Sequence, residues 1–180
     1  MKPDRIIELK MEEVAPKALW FNVILLIVFA VFFHIFSGPL SLSFSFWGIL
    51  LFIVGYLLLI VLHELFHLIG FLLFAKVKLS SLNYGVLWEM GVAYATTSTP
   101  VQTGAMRKVL LLPFWTTAVV PTIIGFWIDS QVLVLLGAML AAGAAGDFLM
   151  YRELLKEKKE AWIVDDPELP RLLVYNEYPE

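Results

Sequence analysis

This chain contains no cysteine, which excludes a disulfide framework and any thiolate metal site and leaves histidine and carboxylate as its strong metal ligands. Charge is scarce as well. Of the 180 residues 16% are charged and 60% hydrophobic, where an ordinary globular domain is nearer a quarter charged and half apolar. Such a composition belongs to an integral membrane protein of one domain. The net charge is only -3, with the acidic groups mainly in the terminal segments, and no basic patch gathers to bind phosphates, so no nucleic-acid partner is expected. The first seventeen residues lack a short apolar core followed by a small-residue cleavage site, so the first span is expected to stay as an anchor.

Four apolar stretches stand out, at about 18–37, 46–75, 108–128 and 131–151, each reaching the roughly 20 residues a bilayer needs. They predict four transmembrane helices. Lys2, Arg5, Lys10 and Lys17 precede the first, Lys76, Lys78, Arg107 and Lys108 lie between the second and third, and Arg152, Lys156, Lys158 and Lys159 follow the fourth. The other two connections carry no Lys or Arg, so both termini are expected in the cytoplasm of a cell membrane protein. Trp20, Trp47 and Trp127 sit near span ends, where interfacial anchoring explains them.

Within the second run, Val61-Leu62-His63-Glu64-Leu65-Phe66-His67-Leu68 contains a His-Glu-x-x-His pattern. Two imidazoles four residues apart project from one face of a helix and can share one metal, and the carboxylate between them can take a proton from a metal-activated water. With three His and eleven Glu in the chain, on the order of 0.003 such motifs are expected by chance. Each ionisable group in mid-membrane costs roughly 2.5 to 3.5 kcal/mol on insertion scales, so three in five residues call for a purpose. The plainer alternative is a pair of core histidines bonded to a neighbouring helix.

A zinc site needs a third protein ligand, and His34, Glu89, Asp129 and Asp147 are the candidates. His63 lies about 17 residues into its span, a rise of roughly 25 Å toward the cytoplasmic side. His34 and Asp129 fall at the outer ends of the first and third spans, whereas Asp147, about 16 residues into the fourth, matches His63 in depth. Asp147 is therefore the expected ligand, with Glu89 second. Gly143 and Ala144 share a face with Asp147, and Gly70 shares one with the histidines, so both helices are trimmed where the ligands would meet. A generic small-residue interface, with Asp147 hydrogen-bonded to a neighbour, is the alternative.

From Leu82 to Tyr94 side-chain character alternates with period two, predicting a β-hairpin of about 82–88 and 92–98 turned by Glu89-Met90-Gly91 at the inner membrane face. It either holds an unwound substrate segment along a strand edge or caps the bundle. Pro113 and Pro121 interrupt the third span and are expected to kink it. A transmembrane domain over 1–155 is thus followed by a cytoplasmic tail, 156–180, charged at first and then turn-rich around Asp165-Asp166-Pro167 and Pro170.

In His63, Glu64, His67, the 82–98 segment and Asp147 the chain resembles the site-2 protease class of intramembrane metalloproteases, and more narrowly the small prokaryotic membrane proteins classed as putative zincin peptidases. That class usually has Asn and Pro upstream and Leu-Asp-Gly at the aspartate, whereas here the sequence is Ala145-Gly146-Asp147-Phe148. The resemblance implies an all-α membrane protein with one membrane-associated hairpin and a zinc ion on His63, His67 and Asp147. It further implies Glu64 as general base in cleaving transmembrane or membrane-proximal segments of protein substrates. A non-catalytic zinc-stapled scaffold or chaperone is the alternative, although a staple needs no base. Transport ranks lower, because the outer halves of these helices are nearly all apolar.

Overall fold

The computed structural model of the chain describes residues 1–41, 45–87, 92–166 and 169–179. A short strand, β1 (Arg5–Glu8), precedes helix α1 (Met11–Phe36), which starts earlier than the apolar run because Glu12 and Glu13 fit the positive end of a helix. Helix α2 (Phe46–Gly70) continues through a π-helical turn, Phe71–Ala75, and stops at Lys76 in the left-handed region (φ 55). Leu19, Ile24 and Val31 of α1 and Leu51, Leu58 and Val61 of α2 are all exposed. Helices that are apolar all round and uncovered by protein are suited to hydrocarbon.

The hairpin follows as β2 (Leu82–Leu87) and β3 (Val92–Thr97), antiparallel in the register Leu82↔Thr97 to Leu87↔Val92. Its expected turn, Glu89-Met90-Gly91, lies outside the described residues. Strand β4 (Val101–Gln102) leads into α3 (Thr103–Pro113), a π-helical turn Phe114–Val119, and α4 (Val120–Trp127). The third apolar run thus turns to π geometry directly after Pro113 and returns to α geometry at Val120, just before Pro121, without a break in the helix; each proline lacks a backbone donor. Helices α5 (Gln131–Gly143) and α6 (Ala145–Leu154) follow, then β5 (Trp162–Asp165) and β6 (Arg171–Tyr175).

By length and composition, Met11–Phe36, Phe46–Ala75 and Thr103–Trp127 can each cross a membrane. The α5–α6 pair, bent by 42°, makes a fourth if it counts as one span. The molecule is mostly helical, but its described residues form two sheets where sequence patterning points to one hairpin. The second is antiparallel, in the order β1-β6-β5-β4, with Arg5↔Val174 and Val101↔Ile163 among its pairs. Its strands are runs of two to five residues, too short for alternation to register, and their partners are remote in sequence.

Packing divides the chain into two compact units, with the division falling inside the unbroken α2 between His63 and Glu64. The first comprises Met1–Val14, Glu64–Pro113 and Gly146–Glu180. Its core joins Phe71, Val109, Leu154, Ile163 and Val174. Arg107 donates from Nη2 to the carbonyls of Leu154 (2.7 Å) and Glu157 (2.8 Å), satisfying acceptors left over where α6 ends. Arg5 ties β1 to Glu153 (2.5 Å) and Glu157 (2.6 Å). The second unit, Ala15–His63 and Phe114–Ala145, is built around the α4–α5 pair. There Gly125 passes close to Val134, Gly137 passes close to Thr122, and Asp129 takes the left-handed turn between the helices (φ 52).

Candidate metal centre

Helical spacing alone puts His63 and His67 one turn apart on α2, and both side chains are buried, at 8% and 7% exposure. Each ring is held through Nδ1. That of His67 lies 3.2 Å from the carbonyl oxygen of Val109, and that of His63 lies 3.3 Å from Thr117 Oγ1. A carbonyl oxygen can only accept, so His67 carries its proton on Nδ1 and, when neutral, turns a lone pair outward from Nε2.

That lone pair meets a carboxylate. His67 Nε2 is 3.4 Å from Asp147 Oδ1, and two electron-rich atoms stay so close only with positive charge between them, a proton or a metal ion. Ligand atoms each about 2.0 to 2.2 Å from a tetrahedral zinc stand roughly 3.3 to 3.6 Å apart, so this pair has the separation that such an ion imposes. His63 joins through the continuity of α2. One ligand atom from each of His63, His67 and Asp147 lies within 4.8 Å of the others. The donor set, two imidazoles and one carboxylate in a buried setting, fits zinc.

Asp147 reaches this position by a route that the sequence did not suggest. The fourth apolar run does not continue as one helix: α5 ends at Gly143, Ala144 is its cap, and α6 restarts at Ala145. Asp147 therefore occupies the first turn of α6, where the unpaired N–H groups of a helix start favour negative charge. The small residues also serve other ends than expected. A Cβ at Gly70 would lie 3.2 Å from Val109 Cα, so that glycine admits α3, while a Cβ at Gly143 would meet nothing within 4 Å.

Glu64 is part-buried between the two histidines and acts electrostatically on His67. His34 and Asp129 are not in the ligand group found among the described residues, and Glu89 lies outside those residues. Sequence reasoning missed Val109 and Thr117, which hold the two rings, because neither a backbone carbonyl nor a threonine in an apolar run carries a motif. It also read Asp165 only as part of a turn. Burial pushes the Asp165 carboxyl up to about 6, while the Thr96 hydroxyl and His67 act in the opposite direction.

A family model described as "Putative zincin peptidase" matches residues 56–162, more than half of the chain and all four residues His63, Glu64, His67 and Asp147. No curated protein and no solved structure matches the chain.

Proposed function

This chain belongs to the Putative zincin peptidase family, and on that premise we propose that it is a membrane-embedded zinc endopeptidase of the site-2 protease kind. Its substrates are transmembrane or membrane-proximal segments of other proteins. One observation carries the reading: His67 Nε2 faces Asp147 Oδ1 at 3.4 Å, with His67 Nδ1 already committed to Val109. Among the described residues of the same chain, three helices, or four if the bent α5–α6 pair is one span, are long and apolar enough to cross a bilayer.

When bound, zinc supplies a Lewis acid and brings the pKa of a water toward neutrality. The remaining work falls to the protein. His63, His67 and Asp147 hold the ion, and the single carboxylate among them leaves the site a net positive charge. Glu64, beside His63 on α2, accepts the proton of the attacking water and returns it to the leaving amine. A helical substrate hides its peptide bonds. The strand edges of the β2–β3 pair offer backbone donors and acceptors that can hold an unwound segment.

The test uses the full chain in lipid vesicles containing zinc, with a panel of fluorescent reporters that each carry one transmembrane segment. Glu64→Gln is expected to keep its zinc and to lose cleavage by about 100-fold or more. A variant that cleaves at the wild-type rate rules out Glu64 as the base. A wild-type protein that binds zinc but cleaves no reporter, and whose fold or partner binding is lost on chelation, is instead a zinc-stapled scaffold.

A further inference from the structure

The third apolar run holds both metal-site imidazoles by their Nδ1 atoms. Val109 in α3 takes His67, and Thr117, in the π-helical turn that follows, takes His63. We propose that Thr117 is a positioning residue of the metal centre: its hydroxyl accepts the Nδ1–H of His63 and so keeps Nε2 of that ring turned toward the ion. The inference rests on the zinc reading given above.

Burial makes this contact consequential. Thr117 is 1% exposed and His63 8%, so water cannot readily replace either partner. A hydroxyl can donate or accept, and on its own it does not select a tautomer. The choice follows from the geometry. Thr117 lies against Nδ1, so a metal would be taken by Nε2, and a neutral imidazole that binds through Nε2 must carry its proton on Nδ1. Thr117 is then the acceptor, and its own proton can pass to a carbonyl of the preceding turn. Thr122 makes such a bond one turn later, to the Ala118 carbonyl at 2.8 Å.

The local backbone fits this role. Phe114–Val119 reads Phe-Trp-Thr-Thr-Ala-Val, mostly apolar. A π turn takes one more residue than an α turn and so re-aims the side chains around it. It begins directly after Pro113, and Thr117 lies four residues before Pro121, where the missing proline N–H interrupts regular α bonding. The segment thus directs a threonine at His63 from a helix otherwise suited to lipid and core.

The experiment measures zinc affinity of the full chain in detergent, stripped of metal and titrated against a chromogenic chelator. Thr117→Ser keeps the hydroxyl and should match wild type. Thr117→Val keeps the shape without the acceptor and should bind zinc about 10- to 100-fold more weakly, the usual effect of losing a group that supports a metal ligand. A Thr117→Val affinity within about twofold of wild type, in folded protein, overturns the proposal. If the valine variant does not fold, the wild type still decides. Histidine-selective ¹⁵N NMR of the zinc-loaded chain should show His63 metallated at Nε2 and protonated at Nδ1, and metallation at Nδ1 overturns the proposal. A wild type that binds no zinc through His63 removes the metal centre and this inference together. Zinc binding that ignores Thr117 removes the inference alone.

Discussion

Gly70 lets α2 approach α3 so closely that a Cβ there would lie 3.2 Å from Cα of Val109, the residue whose carbonyl also accepts from His67. Close approach and ligand orientation are therefore set at one point of contact. Gly70→Ala gains up to about 1 kcal/mol in helix propensity. It also forces a backbone that is fully packed around Val109 to yield, at about 1 to 3 kcal/mol. The net expectation is a lower melting temperature with weaker zinc binding. A higher melting temperature with unchanged zinc affinity would show that α3 has room to move.

Asp147→Asn keeps the shape of the third ligand and removes its charge. Zinc affinity should fall by more than the roughly 100-fold that losing a merely supporting group costs. The measurement is metal content and chelator competition on folded protein. If the variant holds zinc as tightly as wild type, Asp147 is not a ligand.

Arg107 closes the end of α6 by donating to the carbonyls of Leu154 and Glu157, and α6 is the helix that starts with Asp147 in its first turn. Arg107→Met keeps the aliphatic packing and deletes both bonds. A loss of about 1.5 to 3 kcal/mol is expected, as for hydrogen bonds that involve a charged partner. Denaturation in mixed micelles measures it, and a change below about 0.5 kcal/mol would place the variant among ordinary surface substitutions.

Asp165 predicts a pH dependence. Its folded value of about 6 lies above the ordinary 3.8, so the folded chain binds this proton more tightly than the unfolded chain does. For this group, stability is greatest below about pH 4, falls as pH rises toward 6, and carries the whole cost of a buried carboxylate above that. The gap between 3.8 and about 6 corresponds to as much as about 3 kcal/mol. In chelator-treated protein Asp165→Asn should therefore be more stable than wild type at pH 7.5 and equal to it near pH 4. A difference that does not vary with pH contradicts the assignment.

The parts of this molecule legible in the sequence are those where one physical rule acts over many residues. The long apolar runs gave α2 with its π turn as 46–75, and period-two alternation placed the hairpin within a residue of Leu82–Leu87 and Val92–Thr97. Depth favours Asp147 over His34 and Asp129, with Glu89 second, and among the described residues Asp147 lies with His63 and His67 in a group that could hold a metal ion. Where a single residue or a remote pairing decides the outcome, the signal is too small. The break at Ala144 follows from backbone geometry in a stretch of glycine and alanine that equally permits a straight helix. The pairing of Arg5 with Val174 joins two short runs with no shared pattern. Gly70 was read as facing the aspartate helix because face-sharing gives a direction along one helix and does not say which neighbour fills it.

That remote pairing has a further consequence, one of parity. Strands β1, β4, β5 and β6 are hydrogen-bonded into one sheet, and such a sheet with open edges cannot straddle hydrocarbon. If the chain spans a membrane, all four strands would share one side of it, and the crossings between β1 and β4, and again between β4 and β5, would each be even in number. On that condition a total of three crossings would not fit the sheet. If the run from Thr103 to Trp127 goes across, the bent α5–α6 pair must bring the chain back. The absence of cysteine makes this easy to check. Single cysteines at Ser37, Ser130 and Asn176, labelled by an impermeant maleimide, should put the first two on one face of the bilayer and the third on the other.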